Sequence, residues 1–413
     1  MIRRSLSCLL ASALVLASGS AQAEVKVGSA GALSGPFSWS GERNRIALEL
    51  ATRRLNDTGG VLGAKLALVA VDDACGEQQA MAAARELVAA GISLVVGHMC
   101  SHSSLLAAGI YETADVLMIS PESTHPRLTE EGRRNVFRLK GRDDDQGRLA
   151  GDFLARHWPD GKIAIVHDGR TYGEGLAIQT RRQLRAAGGR EAVYAVYPPG
   201  AKDQGTLAKR LRDAEIDVLY VGGYGPDAAR ILRAVRARGL DLQLVGGDGL
   251  GMGEFWTVAG HAGEGTLFST RPNPRQVPAA APVLAAFEAH GLGTRSSGIA
   301  TYAALEVWAQ AVERAGSFEL PAVAGMLRRG RFDSVLGSIE FDDKGDLEGA
   351  SWQWQRWSDG SYAPLDGAAP HTAQAPAAAS GPAAVRWRVP GLWSARPRTR
   401  PRQRPFAGAG AMA

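Results

Sequence analysis

Cysteine is scarce in this chain, with only 3 among 413 residues, and aromatics make up only 7 %. Acid is missing from both ends. Residues 1–23 hold Arg3 and Arg4 and no acid, and residues 367–413 hold seven arginines (386, 388, 396, 398, 400, 402 and 404) and again no acid. Taking those nine charges from the formal +5 leaves residues 24–366 at −4. A body with that balance excludes a nucleic-acid-binding core. Long apolar runs are also missing after the first segment, so no later window would cross a bilayer. What remains is 45 % hydrophobic and 22 % charged, which excludes a disordered chain and provides for a sizeable core. The length suits about two or three domains of ~150 residues.

The first segment has its own logic. Arg3 and Arg4 precede an apolar run from Leu6 to Ala17, and Ala21-Gln22-Ala23 places small residues where a signal peptidase reads. Residues 1–23 are therefore expected to be a cleaved export signal, with the mature protein secreted and soluble. Cleavage removes Cys8 and leaves Cys75 and Cys100. An even pair in an exported chain reads as one disulfide. Closing a loop of about 25 residues is worth ~3 kcal/mol in the chain-entropy model. A metal site is the rival reading, but His98 and His102 beside Cys100 make a poor tetrahedral set. No metal and no cofactor are expected.

From Glu24 onward, apolar strand-like runs alternate with helical patterns. Val25–Leu33, Lys65–Val71, Ile92–Val96 and Val116–Ile119 read as strands, with helices between them. The alternation resumes with strands at Lys162–Val166, Ala192–Tyr197, Val218–Val221 and Leu242–Val245. Continuous apolar strands separated by helices predict parallel sheets covered on both faces. Two such runs predict an α/β protein of two doubly wound parallel-sheet lobes, with a break near Arg138–Gly147. Beyond Leu267 the helices lengthen, and Gly337–Trp357 reads as antiparallel strands around the turn Asp342-Asp343-Lys344-Gly345-Asp346. The tail 367–413 is Ala/Pro-rich and then Arg-rich without a period, and is expected to be disordered.

Ligands of open α/β sheets bind beyond the carboxyl ends of the strands. In the first run those ends carry Ser101, Ser103 and Ser104, then Glu122, Ser123 and Thr124. Hydroxyls and backbone N–H groups at helix starts suit a carboxylate. In the second run they carry Tyr172, Tyr224 and Asp248. A carboxylate-binding wall facing an aromatic and acidic wall suits an amino-acid zwitterion. Taken singly, the serines and threonines are ordinary helix caps, the tyrosines packing residues, and Asp248 a turn former. Recurrence at five strand ends is what favours the functional reading.

The runs Gly31-Ala-Leu-Ser-Gly-Pro36, Asp72-Asp-Ala-Cys75, Gly97-His-Met-Cys-Ser101, Ile119-Ser-Pro121 and Ile165-Val-His-Asp168 carry a resemblance. So do Tyr172-Gly-Glu-Gly-Leu-Ala177, Gly222-Gly-Tyr224, Thr301-Tyr-Ala-Ala-Leu305 and Asp343-Lys-Gly-Asp-Leu347. In order along the chain, they resemble the leucine/isoleucine/valine-binding proteins, periplasmic receptors of branched-chain amino-acid ABC importers with the type I periplasmic binding protein fold. The resemblance implies two lobes joined by a three-stranded hinge: 24–141 with 272–350, and 142–271 with 351–366. It implies a periplasmic, monomeric, non-enzymatic protein that delivers an amino acid to an ABC permease in the inner membrane.

The family's roles carry over residue by residue. Ser101 matches the serine that holds the ligand carboxylate, and Thr124 the threonine that touches carboxylate and ammonium. Glu122 falls where the family uses a small residue, with Ser123 beside it. Tyr172 and Tyr224 match the tyrosines that close from the second lobe, Asp248 falls at the ammonium-pairing glutamate, and Cys75 and Cys100 match the disulfide. Where the family places an aromatic before the glycine of its first loop, this chain has Ser40, with Trp39 one earlier. Glu122 adds a carboxylate and would favour a more cationic or polar ligand. Two other functions compete. One is a serine hydrolase using Ser101 with His98 or His102, which lacks a Gly-x-Ser-x-Gly elbow. The other is a sensor of the same fold for amides or other small metabolites.

Overall fold

The computed structural model describes residues 24–272, 277–292, 298–365 and 371–372. The expected signal segment 1–23 and nearly all of the expected tail lie outside them.

The first sheet has five parallel strands: β1 (Glu24–Gly31), β2 (Lys65–Asp72), β3 (Leu94–Gly97), β4 (Leu117–Ser120) and β5 (Val136–Arg138), in the order β2-β1-β3-β4-β5. Helices α1 (Ser38–Asp57), α2 (Glu77–Ala89), α3 (Ser101–Thr113) and the single turn α4 (Arg127–Glu130) connect them. Alternation along the strands decides which helix meets which face. Leu94, Val96, Leu117 and Ile119 pack into one core with Leu48 of α1. Val95 and Met118, one residue out of phase, pack on the other face with Leu87 of α2 and Tyr111 of α3.

The second sheet is built in the same way. Its strands are β6 (Ile163–His167), β7 (Glu191–Val196), β8 (Val218–Gly222), β9 (Gln243–Gly246) and β10 (Leu267–Thr270), parallel to one another. Helices α5 (Asp143–His157), α6 (Thr171–Ala186), α7 (Gly205–Asp213), α8 (Gly225–Arg236) and α9 (Gly253–Ala259) cover it. Ala164, Val166, Leu219 and Val221 face the core that holds Ile231 and Leu232 of α8. Ile163, Ile165, Val218 and Tyr220 face α5 and α6 through Leu154 and Leu176.

The chain then returns to the first sheet. Helices α10 (Ala281–Ala289), α11 (Gly298–Ala315) and α12 (Leu320–Arg329) place Phe287, Tyr302, Trp308 and Leu327 in the same core as Leu94 and Ile119. Hairpin β11 (Arg331–Ser334) and β12 (Gly337–Glu340) follows. The expected turn at 342–346 is present, with Asp342 Oδ1 accepting from the backbone N–H of Lys344 at 2.9 Å and of Asp346 at 2.8 Å. The strands around it do not form the expected hairpin. Only Phe341 and Leu347 bridge across it, β12 pairs back with β11, and β13 (Ser351–Ser358) crosses into the second sheet beside β10. There β13 also pairs with β14 (Ser361–Pro364) and with β15 (His371–Thr372), so the first residues of the expected tail include a short strand.

Three stretches thus join the two sheets: one after β5, one after β10 and one before β13. They pack against each other. A Cβ on Gly141 would lie 2.8 Å from the Trp352 indole, so only glycine admits that approach. Arg271 donates to the Leu139 carbonyl. Among the described residues, no helix is long and apolar enough to cross a membrane.

Candidate functional site

Between the sheets' carboxyl ends lies a partly open cavity lined by side chains from both walls of the cleft. Its first wall comes from two strand ends. After β3 the chain runs through Met99 and Cys100 into α3, which begins at Ser101. Cys100 is joined by a disulfide to Cys75, with their Cα atoms 5.6 Å apart, which ties this loop to the segment after β2. Ser101 Oγ lies 3.4 Å from the backbone N–H donors of Thr124 and His125, so its own proton is left to donate into the cavity.

Arg138, fully buried at the end of β5, sets the loop after β4. Its guanidinium donates to the carbonyl of His125 at 3.0 Å and of Pro126 at 3.4 Å, and it pairs with Asp346 from the returning turn. That pair also holds Thr129, and Asp346 reaches Arg142 at 2.9 Å. Glu122 and Thr124 then line the cavity. The Glu122 carboxylate accepts from Asn44 Nδ2 at 2.6 Å, so α1 positions it.

The second wall comes from the other sheet. Tyr172, in the first turn of α6, and Tyr224, just ahead of α8, pack with ring centroids 5.0 Å apart. Phe37 of the first lobe meets Tyr224 at 4.8 Å. The Tyr172 hydroxyl donates to Asp248 Oδ1 at 2.8 Å and accepts from the Gly249 N–H at 3.0 Å. Burial, reinforced by Asp248, holds the Tyr172 hydroxyl well above its ordinary pKa, so it stays a donor. A Cβ on Gly249 would sit 2.6 Å from the Gly223 carbonyl, which is why glycine flanks Asp248.

Six of the expected ligand residues therefore line one cavity: Ser101, Glu122, Thr124, Tyr172, Tyr224 and Asp248. Three do not line it. The Ser123 hydroxyl bonds Ser104 Oγ at 2.6 Å, inside the loop. Ser40 contacts the second lobe at the rim, where its N–H and Oγ lie 3.1 and 3.0 Å from the Glu254 carboxylate. Trp39 is half exposed, beneath the Arg43 guanidinium at 3.9 Å, and its indole edge abuts Gly253. Trp39 and Ser40 are thus corrected from cavity lining to rim contacts, because α1 begins at Ser38 and carries them along the cleft edge.

Sequence reasoning missed four lining residues: Met99, Lys140, Gly249 and Met252. Met99 and Met252 supply flexible apolar surface, and nothing in their spacing marks them. Lys140 is the larger omission. Its Nζ lies 2.5 Å from Asp248 Oδ2, with both side chains largely buried. Arg271 adds a second cation within reach of the fields of Glu122 and Asp248, and desolvation pulls its guanidinium down to about 10. The acids of the cavity are therefore balanced, which removes the sequence-based argument from Glu122 alone for a more cationic ligand.

The hydrolase reading finds its histidines engaged elsewhere. His98 Nδ1 and Nε2 meet Asp73 at 2.6 Å and Tyr111 at 2.9 Å, and His102 Nε2 meets the Cys75 carbonyl at 2.7 Å. Among the described residues, no group of three His, Cys, Asp or Glu side chains could hold a metal ion.

Two parallel-sheet lobes with a cavity between their strand ends define the class, and sequence comparison gives the family. The periplasmic binding protein family model matches residues 24–360, so the chain belongs to that family. The chain is 37 % identical over 366 residues to a Leu/Ile/Val-binding protein homolog of Brucella melitensis, covering 87 % of this chain and 99 % of that one. It is 37 % identical to a leucine-, isoleucine-, valine-, threonine- and alanine-binding protein of Pseudomonas aeruginosa, over 81 % of this chain and 90 % of the relative. A leucine binding protein structure from Thermotoga maritima superposes with a TM-score of 0.76 at 27 % identity, over 82 % of this chain and 97 % of that one.

Proposed function

We propose that this protein is the extracytoplasmic substrate-binding component of an ABC importer, holding an amino acid between its lobes and passing it to an inner-membrane permease. One observation carries the reading. The Ser101 hydroxyl at the start of α3 and Thr124 in the loop after β4, on a wall that also carries Glu122 held by Asn44, face a wall that holds a carboxylate, Asp248, against two tyrosines across one cavity. A ligand with a carboxylate at one end and an ammonium at the other matches both walls, through charge-assisted hydrogen bonds in a desolvated space. Met99 and Met252 offer an apolar surface to an aliphatic side chain. The amino acids named for its relatives support this assignment, as does the two-lobe, hinge-joined architecture, which suits closure on a ligand. The export signal expected at 1–23 and the family's name support a periplasmic location. A monomer suffices, since both walls come from one chain. The engagement of His98 and His102 disfavours hydrolysis.

A thermal-shift screen of the mature protein against the twenty amino acids and a set of small amides tests the proposal. Aliphatic amino acids should raise Tm and the amides should not. A shift with amides alone would favour the sensor reading instead.

A further inference from the structure

The Lys140–Asp248 contact bears on how the site works, given the reading that Asp248 receives a ligand ammonium. Lys140 lies in the first stretch between the sheets and Asp248 on the second-lobe wall. The carboxylate of Asp248 is already engaged on both oxygens, by Tyr172 at 2.8 Å and by the Lys140 ammonium at 2.5 Å. An incoming ammonium therefore meets a cation already in its place. A second ammonium on this carboxylate would leave a net positive charge in a desolvated space, which favours exchange of one cation for the other. Lysine has a flexible four-carbon stem and a compact charge, so it can leave while its root stays fixed. The cavity wall offers it a second carboxylate, Glu122, held in place by Asn44.

We propose that Lys140 is a tethered occupant of the ammonium subsite, displaced from Asp248 toward Glu122 when an amino acid binds. Lys140 is then a specificity-determining residue. Apparent affinity is the intrinsic affinity multiplied by the fraction of molecules whose subsite stands open. Glu122 acts through Lys140, as the acceptor that makes displacement tolerable. A carboxylic acid without an ammonium binds with Lys140 in place and gains nothing from its removal.

The test titrates leucine and its 2-oxo analogue, 4-methyl-2-oxopentanoate, into wild type, Lys140→Met, Glu122→Gln and the double variant. Lys140→Met should tighten leucine about tenfold or more and should not tighten the oxo acid. Glu122→Gln should weaken leucine several-fold more in the wild-type background than in Lys140→Met. If Lys140→Met lacks a cooperative melting transition, Lys140→Gln is titrated in its place under the same criterion. Leucine binding that is unchanged within twofold or weakened on loss of the lysine overturns the exchange and leaves the amino-acid reading standing. So does an equal effect of Glu122→Gln in both backgrounds. Binding of the oxo acid but not of leucine, in every variant, overturns the zwitterion reading and the exchange with it.

Discussion

The two walls of the cleft are made from different materials. The first presents the Ser101 hydroxyl, Thr124 and the Glu122 carboxylate, fixed by groups behind them: Asn44, the Cys75–Cys100 disulfide and the buried Arg138 with Asp346. The second presents a charge on its surface, Asp248, oriented by Tyr172 and countered by Lys140. The first keeps its ion pairs behind the cavity surface, and its lining carboxylate is held by the Asn44 amide. The other recognises by a carboxylate that already has a partner. The first should therefore tolerate little change in its support, and the second should respond to exchange of its surface charges.

The sharpest break of the first wall is Asp346→Ala. It strands the buried Arg138 guanidinium, which carries the His125 and Pro126 carbonyls and so the Thr124 loop. Breaking a buried pair from one side costs about 3–5 kcal/mol. Urea unfolding should show a loss of that size, and a loss under about 1 kcal/mol would mean that the loop does not depend on the pair.

Ser101→Ala probes the surface of the same wall. A hydrogen bond to a charged group is worth ~1.5–3 kcal/mol, so the dissociation constant for the best amino acid should rise about 10- to 150-fold. The melting temperature should fall only modestly, because the Thr124 and His125 N–H groups lose a long contact at 3.4 Å. Unchanged affinity in calorimetric titration would remove Ser101 from the carboxylate subsite.

The smallest expected effect joins the walls. The His125 ring lies against Gly175 of the second lobe, where an added Cβ would be 2.8 Å away. Burial, and then Arg127 and Arg138, lower its pKa to about 4 from the ordinary 6.5. A base whose pKa is depressed in the folded protein stabilises the fold while it is neutral. Its contribution is full above pH 6.5 and is lost as pH falls toward 4. Stability to urea should therefore decline across that window, and His125→Gln should flatten the decline. A profile identical in the variant would assign the dependence to other groups.

The alternation of apolar strands and helices made both sheets legible, because each buried strand announces itself by continuous burial. Of the elements that escaped, three show why. β5 is three residues long and has no room for a pattern, and β10 sits where the helical pattern changes. Asp143-Asp144-Asp145 read as a charged break, whereas it is the first turn of α5, where acids suit the helix dipole. In the site, the residues at strand ends were legible because topology fixes where strand ends point. Lys140 and Arg271 were not. They lie in the stretches between the sheets, which have no period, and the place of Lys140 in the cavity and of Arg271 near its acids depends on three stretches crossing at one point.

The central claim is that one ligand spans both walls with a carboxylate and an ammonium. Calorimetric titration of the wild-type protein with leucine, with its 2-oxo analogue and with leucinamide tests it most directly. Each analogue keeps the side chain and loses one charged end. Leucine should bind at least about tenfold more tightly than either, by the worth of one charged hydrogen bond. An analogue that binds as tightly as leucine would contradict the account, and the end it lacks would show which wall does not recognise the ligand.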